Sequence, residues 1–308
     1  MKFSKEEFES TLKSPDTEEH IDLYFYRRLG YFFACIGRSL HISPNAITIA
    51  SIFIGVAAGI CFYPTNIWVN VCGMLLLILA DAFDSADGQL ARMTKQYSRL
   101  GRILDGMAGD FWFIAIYVCI CLRVNNTSEF FSAHSWVVWT LAVAAGICHA
   151  TQASMADYYR QMHLLCVNGK SELDNASALR KKFEQSKKEG AGFFNLLIQW
   201  FYMNYTSGQE SRTPQMQKMR AAMLRKYPDG NVPQALRDQF RALSLPLMKY
   251  TNILSFNWRS ITLFISLFLR MPWLYFVAEL TVFNAIMAYM MWRHESICKK
   301  ITNELEQD

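Results

Sequence analysis

Residues 67–92 read IWVNVCGMLLLILADAFDSADGQLAR, and residues 101–110 read GRILDGMAGD. The first of these opens with fourteen uncharged residues and then places Asp81, Asp84 and Asp87 within seven. A helix of about 20 apolar residues crosses the hydrocarbon core of a bilayer, so the run from Ile67 to Leu90 reads as a span whose end carries acids. The second quoted stretch starts another apolar run, Ile103–Leu122, with Asp105 and Asp110 in its first third. The pair is a helical hairpin with five carboxylates at one membrane face.

Working outward, four more apolar segments appear: Ala46–Tyr63, Trp136–Ala156, Leu254–Leu269 (interrupted by Arg259) and Pro272–Trp292. Six transmembrane helices are therefore expected in an all-α integral membrane protein. Of the 308 residues, 52% are hydrophobic and 14% aromatic, yet the mean hydropathy is only +0.08, so polar and apolar residues lie in separate blocks. The aromatic load and the absence of repeats exclude a disordered chain, a collagen or a coiled coil. Eight scattered cysteines without a CxxC or Cys/His cluster indicate neither a disulfide framework nor a zinc site.

Lys and Arg counts set the expected orientation. With the N-terminus inside, residues 1–44, 91–102, 159–259 and 293–308 share one side and hold 29 of the 31 basic residues; Arg123 and Arg270 are left outside. Both termini are then cytoplasmic, in a bacterial inner membrane. The net charge of +5 is the mark of a basic face beside anionic lipid, with no nucleic-acid partner expected. The domain plan is an N-terminus with an interfacial helix (1–44), spans 1–4 (45–158), a cytoplasmic helical insertion (159–253), spans 5–6 (254–293) and a tail (294–308).

Residues 17–40 read as an interfacial amphipathic helix capped by Asp16 or Thr17, with Tyr24, Phe25, Phe32, Phe33 and Ile36 on its apolar side. Within the insertion, Phe193–Tyr205 (FFNLLIQWFYMNY) has the composition of another interfacial helix. Thr213-Pro214 and Asn231-Val232-Pro233 read as starts of two short helices.

An unpaired acid in mid-bilayer costs roughly 2.5–3.5 kcal/mol, so five together require a shared positive partner. Asp84, Asp87, Gly88 and Ala91 fall at i, i+3, i+4 and i+7, on one helix face. Asp105 sits one turn from Gly101 on the following antiparallel helix. Carboxylate oxygens from two helices, without His or Cys, suit hard cations such as Mg²⁺ or Mn²⁺. Four carboxylates would balance two such ions. Gly88 and Ala91 leave space for a bulky group, and Arg92 can hold a phosphate through both arms of its guanidinium. These residues describe metal-dependent phosphate transfer at a membrane surface.

Asp84, Asp87, Gly88, Ala91, Arg92, Gly101 and Asp105 resemble the signature of the CDP-alcohol phosphotransferase family, D-x2-D-G-x2-A-R-x8-G-x3-D-x3-D. Ser43-Pro44-Asn45-Ala-Ile-Thr48 is similar to the family's entry into its first span. The resemblance implies two metal ions held by Asp84, Asp87, Asp105 and a fourth acid that is also the general base. It implies CDP contacts from Gly88, Ala91, Arg92, Gly101 and Thr48, a CDP-linked lipid donor, membrane lipid as surroundings, and a homodimer. The fourth acid belongs at position 109, which is Gly here; the acid is Asp110. Five steps along a regular helix turn Asp110 about 140° from Asp105. Either a π-bulge near Gly106–Gly109 brings Asp110 to the site, which is the favoured expectation, or Asp81 substitutes as ligand.

The expected reaction moves a phosphatidyl group from CDP-diacylglycerol to a small polar alcohol and releases CMP. Arg160, Lys249 and Arg259 are the candidate acceptor-binding cations; their convergence would favour a phosphorylated acceptor, with inositol phosphate the first choice. Competing expectations are a soluble CDP-alcohol donating to a lipid alcohol, a divalent cation transporter, and an inactive lipid-binding scaffold.

Overall fold

A computed structural model describes residues 5–12, 14–169 and 175–307. Every described regular element is helical. Four stretches among the described residues are long and apolar enough to cross a membrane: Ile67–Thr94, Leu104–Thr127, Ser135–Val167 and Trp273–Gln307. The first expected span is the shorter apolar helix Pro44–Ile60, and the fifth is a helix of 13 residues, Phe256–Phe268.

The chain divides into two compact units, Met1–Ile147 with Asn257–Leu280, and Cys148–Phe256 with Thr281–Asp308. The first unit holds α1 (Lys5–Ser10), α2 (Arg27–Ser39), α3 (Pro44–Ile60), α4 (Ile67–Thr94), α5 (Arg99–Thr127) and α6 (Glu129–Ala133). It takes the first part of α7 (Ser135–Asn168), together with α13 (Phe256–Phe268) from its second residue on and α14 (Trp273–Ala278). Local chemistry sets the helix starts. Ser43 Oγ accepts from Ala46 N ahead of α3, with Pro44 at its first position. Asn66 Oδ1 accepts from Trp68 N at 2.9 Å to start α4, and Ser98 Oγ accepts from Gly101 N at 2.8 Å to start α5. Lys95 ends α4 in the left-handed region, φ 56°, which turns the chain back within the three residues before α5.

α3 packs against α4 and α5, and α2 against α4. Gly55 and Gly59, one turn apart on α3, let α5 approach closely: a Cβ on Gly55 would enter the Trp112 indole, and one on Gly59 would lie 2.9 Å from Ile116 N. Small residues at four-residue spacing serve helix packing in lipid, where apolar bulk alone drives little association. Ala34, Ile47, Ala86 and Leu90 form the small core joining α2, α3 and α4.

The N-terminal helix begins later than the cap residues suggest. Thr17 N bonds Ser14 O at 3.1 Å in a turn, and Glu18 is taken by Arg27 at 3.0 Å, so helix starts at His20. Its first regular turn is π-helical, Asp22–Tyr26. Asn257 Nδ2 donates to Glu19 and Asp22 (2.9 and 2.8 Å) and Trp258 Nε1 to Glu19 (3.1 Å), tying this turn to the start of α13.

The second unit contains the described part of the 159–253 insertion together with α15 (Asn284–Gln307); residues 170–174 of the insertion lie outside the described ones. Its helices are α8 (Ala176–Lys188), α9 (Phe193–Ser211), α10 (Pro214–Lys226), α11 (Gln234–Ser244) and α12 (Met248–Ile253). The two Pro-marked starts are where α10 and α11 begin. α10 lies along α15, with Glu295 accepting from the free amides of Gln215 (2.6 Å) and Met216 (3.3 Å) at its N-terminus.

Candidate metal and phosphate site

Side-chain oxygens of Asp84, Asp87 and Asp105 lie within 4.8 Å of one another. The three-residue step on α4 puts the first two on one face, and the short α4–α5 turn brings Asp105 opposite them. Asp87 is buried, at 4% exposure, while Asp105 is exposed. Three like charges this close repel unless a cation or protons intervene. An oxygen-only donor set fits a hard divalent ion.

Thr48, expected among the CDP contacts, is engaged elsewhere. It is 2% exposed, and its hydroxyl lies between Pro44 O (3.2 Å) and Asp87 Oδ2. Thr48 thus fixes one oxygen of Asp87, the outer-shell role that orients a carboxylate ligand. Gly101 also has a packing reason. A Cβ there would strike Asn45 Oδ1 and lie 2.8 Å from Ser98 Oγ, while Ser98 Oγ donates to Asn45 Oδ1 at 3.0 Å. Glycine at 101 lets α5 start against the entry of α3, which sets the height of Asp105.

Arg92 lies over Gly88: a Cβ on Gly88 would be 3.4 to 3.8 Å from its guanidinium atoms. Its Nε donates to Thr11 O at 2.7 Å, and Gln89 Nε2 donates to Thr11 Oγ1 at 3.0 Å. Arg92 Nη2 is buried with no partner, so one arm of the fork stands ready for an anion. Thr11 and Gln89 were not foreseen. Gln89 lies inside the motif but reads as a variable position, and nothing near Thr11 in the chain points to residue 92. The Thr11 segment is held in turn by Glu7, which bonds Tyr31 Oη (2.8 Å) and Arg38. Those contacts, the Arg38 guanidinium first, keep the Glu7 carboxyl below its usual range. Ala91 is half-buried one turn beyond Asp87.

The fourth acid departs from expectation. α5 is regular α-helix from Arg99 to Thr127, with no π-bulge at Gly106–Gly109. Asp110 is exposed and outside the three-acid group. A Cβ on Gly106 or Gly109 would meet nothing within 4 Å, so no packing pressure forces the helix to re-register there. Asp81 is outside the group as well; its electrostatic neighbours are Asp22, Arg27 and Glu19 at the π-helical turn. Neither route supplies a fourth ligand in this structure.

Of the three acceptor cations, Arg259 is ion-paired within its own unit. Arg259 is 1% exposed, and its Nη1 donates to both oxygens of Glu279 (2.6 and 2.5 Å), which also accepts from Tyr275 Oη at 2.8 Å. Its charge is offset by Glu279 inside its own unit. Arg160 Nη2 donates to Asn252 Oδ1 (3.3 Å) and Ser255 Oγ (2.9 Å), and the exposed Lys249 lies over the Tyr250 ring at 5.0 Å.

One helix thus carries two of the three clustered carboxylates and an arginine with an open arm, and the next helix supplies the third carboxylate. Residues 41–165 match the family model CDP-alcohol phosphatidyltransferase. It is similar to the CDP-diacylglycerol–glycerol-3-phosphate 3-phosphatidyltransferase of Rickettsia felis, 31% identical over 86 residues, covering 28% of this chain and 47% of the relative. The chain thus spans about half the length of that relative. No solved structure matches.

Proposed function

We propose that this protein transfers a phosphatidyl group from CDP-diacylglycerol to a small polar alcohol. The observation that carries the reading is the convergence of Asp84, Asp87 and Asp105 beside the open arm of Arg92. Asp84, Asp87 and Asp105 would hold Mg²⁺ or Mn²⁺. A divalent ion there would offset the charge of the pyrophosphate and of departing CMP. Three ligands account for one ion; the second ion of the family pattern would need a donor outside this trio.

Arg92 binds the pyrophosphate, steadied at Nε by Thr11, while Gly88 and Ala91 leave room for the nucleotide. The acceptor oxygen attacks the β-phosphorus in line. A new P–O bond forms, the bond to CMP breaks, and CMP leaves with its electron pair. The acceptor proton passes to Asp105, the exposed carboxylate at the edge of the trio. Asp110, the expected base, stands outside it. The acyl chains stay in the bilayer, which is why the site belongs at the end of the spans, on the cytoplasmic side by the basic-residue count. Glycerol 3-phosphate is the first acceptor to test because the similar protein's name gives it; inositol phosphate follows.

The locked Arg259 favours one second reading, a soluble CDP-alcohol donating to a lipid alcohol, which needs no acceptor cation. The deciding experiment is Mg²⁺-dependent CMP release by the purified protein in lipid vesicles. CDP-diacylglycerol would be paired with glycerol 3-phosphate, inositol phosphate, inositol and serine, and CDP-choline or CDP-ethanolamine with diacylglycerol. Release with one pair, lost in Asp87→Asn, names donor and acceptor; release with none of them defeats both readings.

A further inference from the structure

α9 wears its polarity inside out. The covered stripe runs through Asn195, Leu196, Gln199, Met203, Thr206 and Gln209, at helical three- and four-residue steps and mostly polar. Thr206 and Gln209 are fully buried, and Gln209 Nε2 donates to Ser154 O at 2.9 Å. The opposite face is aromatic and exposed: Phe193 72%, Phe194 77%, Trp200 46%, Phe201 59% and Tyr205 44%. A helix in water does the reverse, since burial takes the large apolar surface of an aromatic side chain out of water. The solvent of this outer face must itself be apolar.

We propose that α8 and α9 form a membrane-surface hairpin that docks on acidic phospholipid. Three observations select that occupant over a second copy of the chain. Ser154, where α9 is anchored, lies within Ser135–Val167, a stretch long and apolar enough to span the membrane. The apolar part of α9, residues 193–205, is about 20 Å long at 1.5 Å per residue, too short to cross a core of about 30 Å but suited to lie in the interface. α8 packs beside it and presents exposed Arg180, Lys181, Lys182, Lys187 and Lys188 against one acid, Glu184. The hairpin is clasped at its open end, where Glu210 accepts from Ala176 N at 3.2 Å and pairs with Arg220 at 3.5 Å. Each cation held near an anionic surface strengthens the attachment. The aromatic face supplies depth and the basic helix selects the headgroup. This inference does not depend on the proposed reaction.

The test places the photoreactive residue p-benzoylphenylalanine at Phe194 or Phe201 of the full chain, both exposed so that folding is spared. The protein is irradiated in vesicles of three parts phosphatidylcholine to one part phosphatidylglycerol, and adducts are read by mass spectrometry. Phospholipid adducts at both positions are expected, with phosphatidylglycerol enriched about threefold over its bulk share. That enrichment should vanish in Arg180→Gln/Lys181→Gln/Lys182→Gln. Adducts to a second copy, or no lipid adduct at either position, would overturn the docking. Lipid adducts without enrichment, or enrichment that survives the triple variant, would overturn the choice of acidic lipid.

Discussion

The first unit contains two clusters of charge, and they are built in opposite ways. Arg259 and Glu279 satisfy each other, with Tyr275 taking part of the remaining hydrogen bonding. Asp84, Asp87 and Asp105 bring three charges of one sign together. A buried pair complete within the chain is part of the fold, and removing one partner strands the other. The three carboxylates converge without His or Cys among them, and the same helix carries a guanidinium arm that has no hydrogen-bond partner. A formal charge inside a span marks function only after its partner has been looked for.

The largest effect that would break this contrast is on activity. Asp87→Asn should lower CMP release at least about a thousandfold, since an ion bound there contributes several kcal/mol. It should also raise the melting temperature of chelator-treated protein by relieving repulsion; a drop in both would make the trio structural. Glu279→Gln should do the reverse, destabilising by about 3–5 kcal/mol in denaturant unfolding. Much of that loss should return in Glu279→Gln/Arg259→Met, in which neither charge is stranded.

A smaller effect sharpens the role of Thr48. Thr48→Val should weaken Mn²⁺ binding by about 10- to 100-fold with little change in stability, the usual result of losing an outer-shell partner. Asp110→Asn should cost less than about tenfold in CMP release, against near-complete loss for Asp105→Asn; equal losses would mean that α5 re-registers in the working enzyme.

The smallest effect is on the N-terminal segment. Glu7 has a lowered folded pKa, so its latch on Tyr31 and Arg38 is fully present above the ordinary value of 4.5 and fades as pH falls through the lower folded value. Amide exchange at residues 5–12 should be slow at pH 7 and, corrected for intrinsic rates, faster near pH 3; Glu7→Gln should remove the difference.

The motif residues were legible because they are local. Three-residue steps on a helix fix Asp84 and Asp87 on one face whatever surrounds them, and the short turn after Lys95 commits Asp105 to face them. Helix starts marked by Ser-Pro, Thr-Pro and Val-Pro were legible for the same reason. The π-turns were not: one was expected at Gly106–Gly109, and they occur at Asp22–Tyr26 and Glu279–Phe283. In the second case the turn begins at the partner of Arg259. Such a turn is set by what a side chain must reach, and a local pattern does not contain that.

By itself the sequence determined the helical membrane class, the acidic hairpin and the family signature, because hydropathy blocks and i, i+3, i+4 spacing act within one or two helices. Only the tertiary structure decided which side chains were already engaged. Arg259 went to Glu279, Thr48 to Asp87, and Asp81 to the surroundings of the N-terminal turn, while Thr11, 81 residues before Arg92 in the chain, came to hold its guanidinium. Pairing between distant segments depends on how helices pack, and in a low-dielectric interior that pairing decides whether a charge is bound into the fold or left for a ligand.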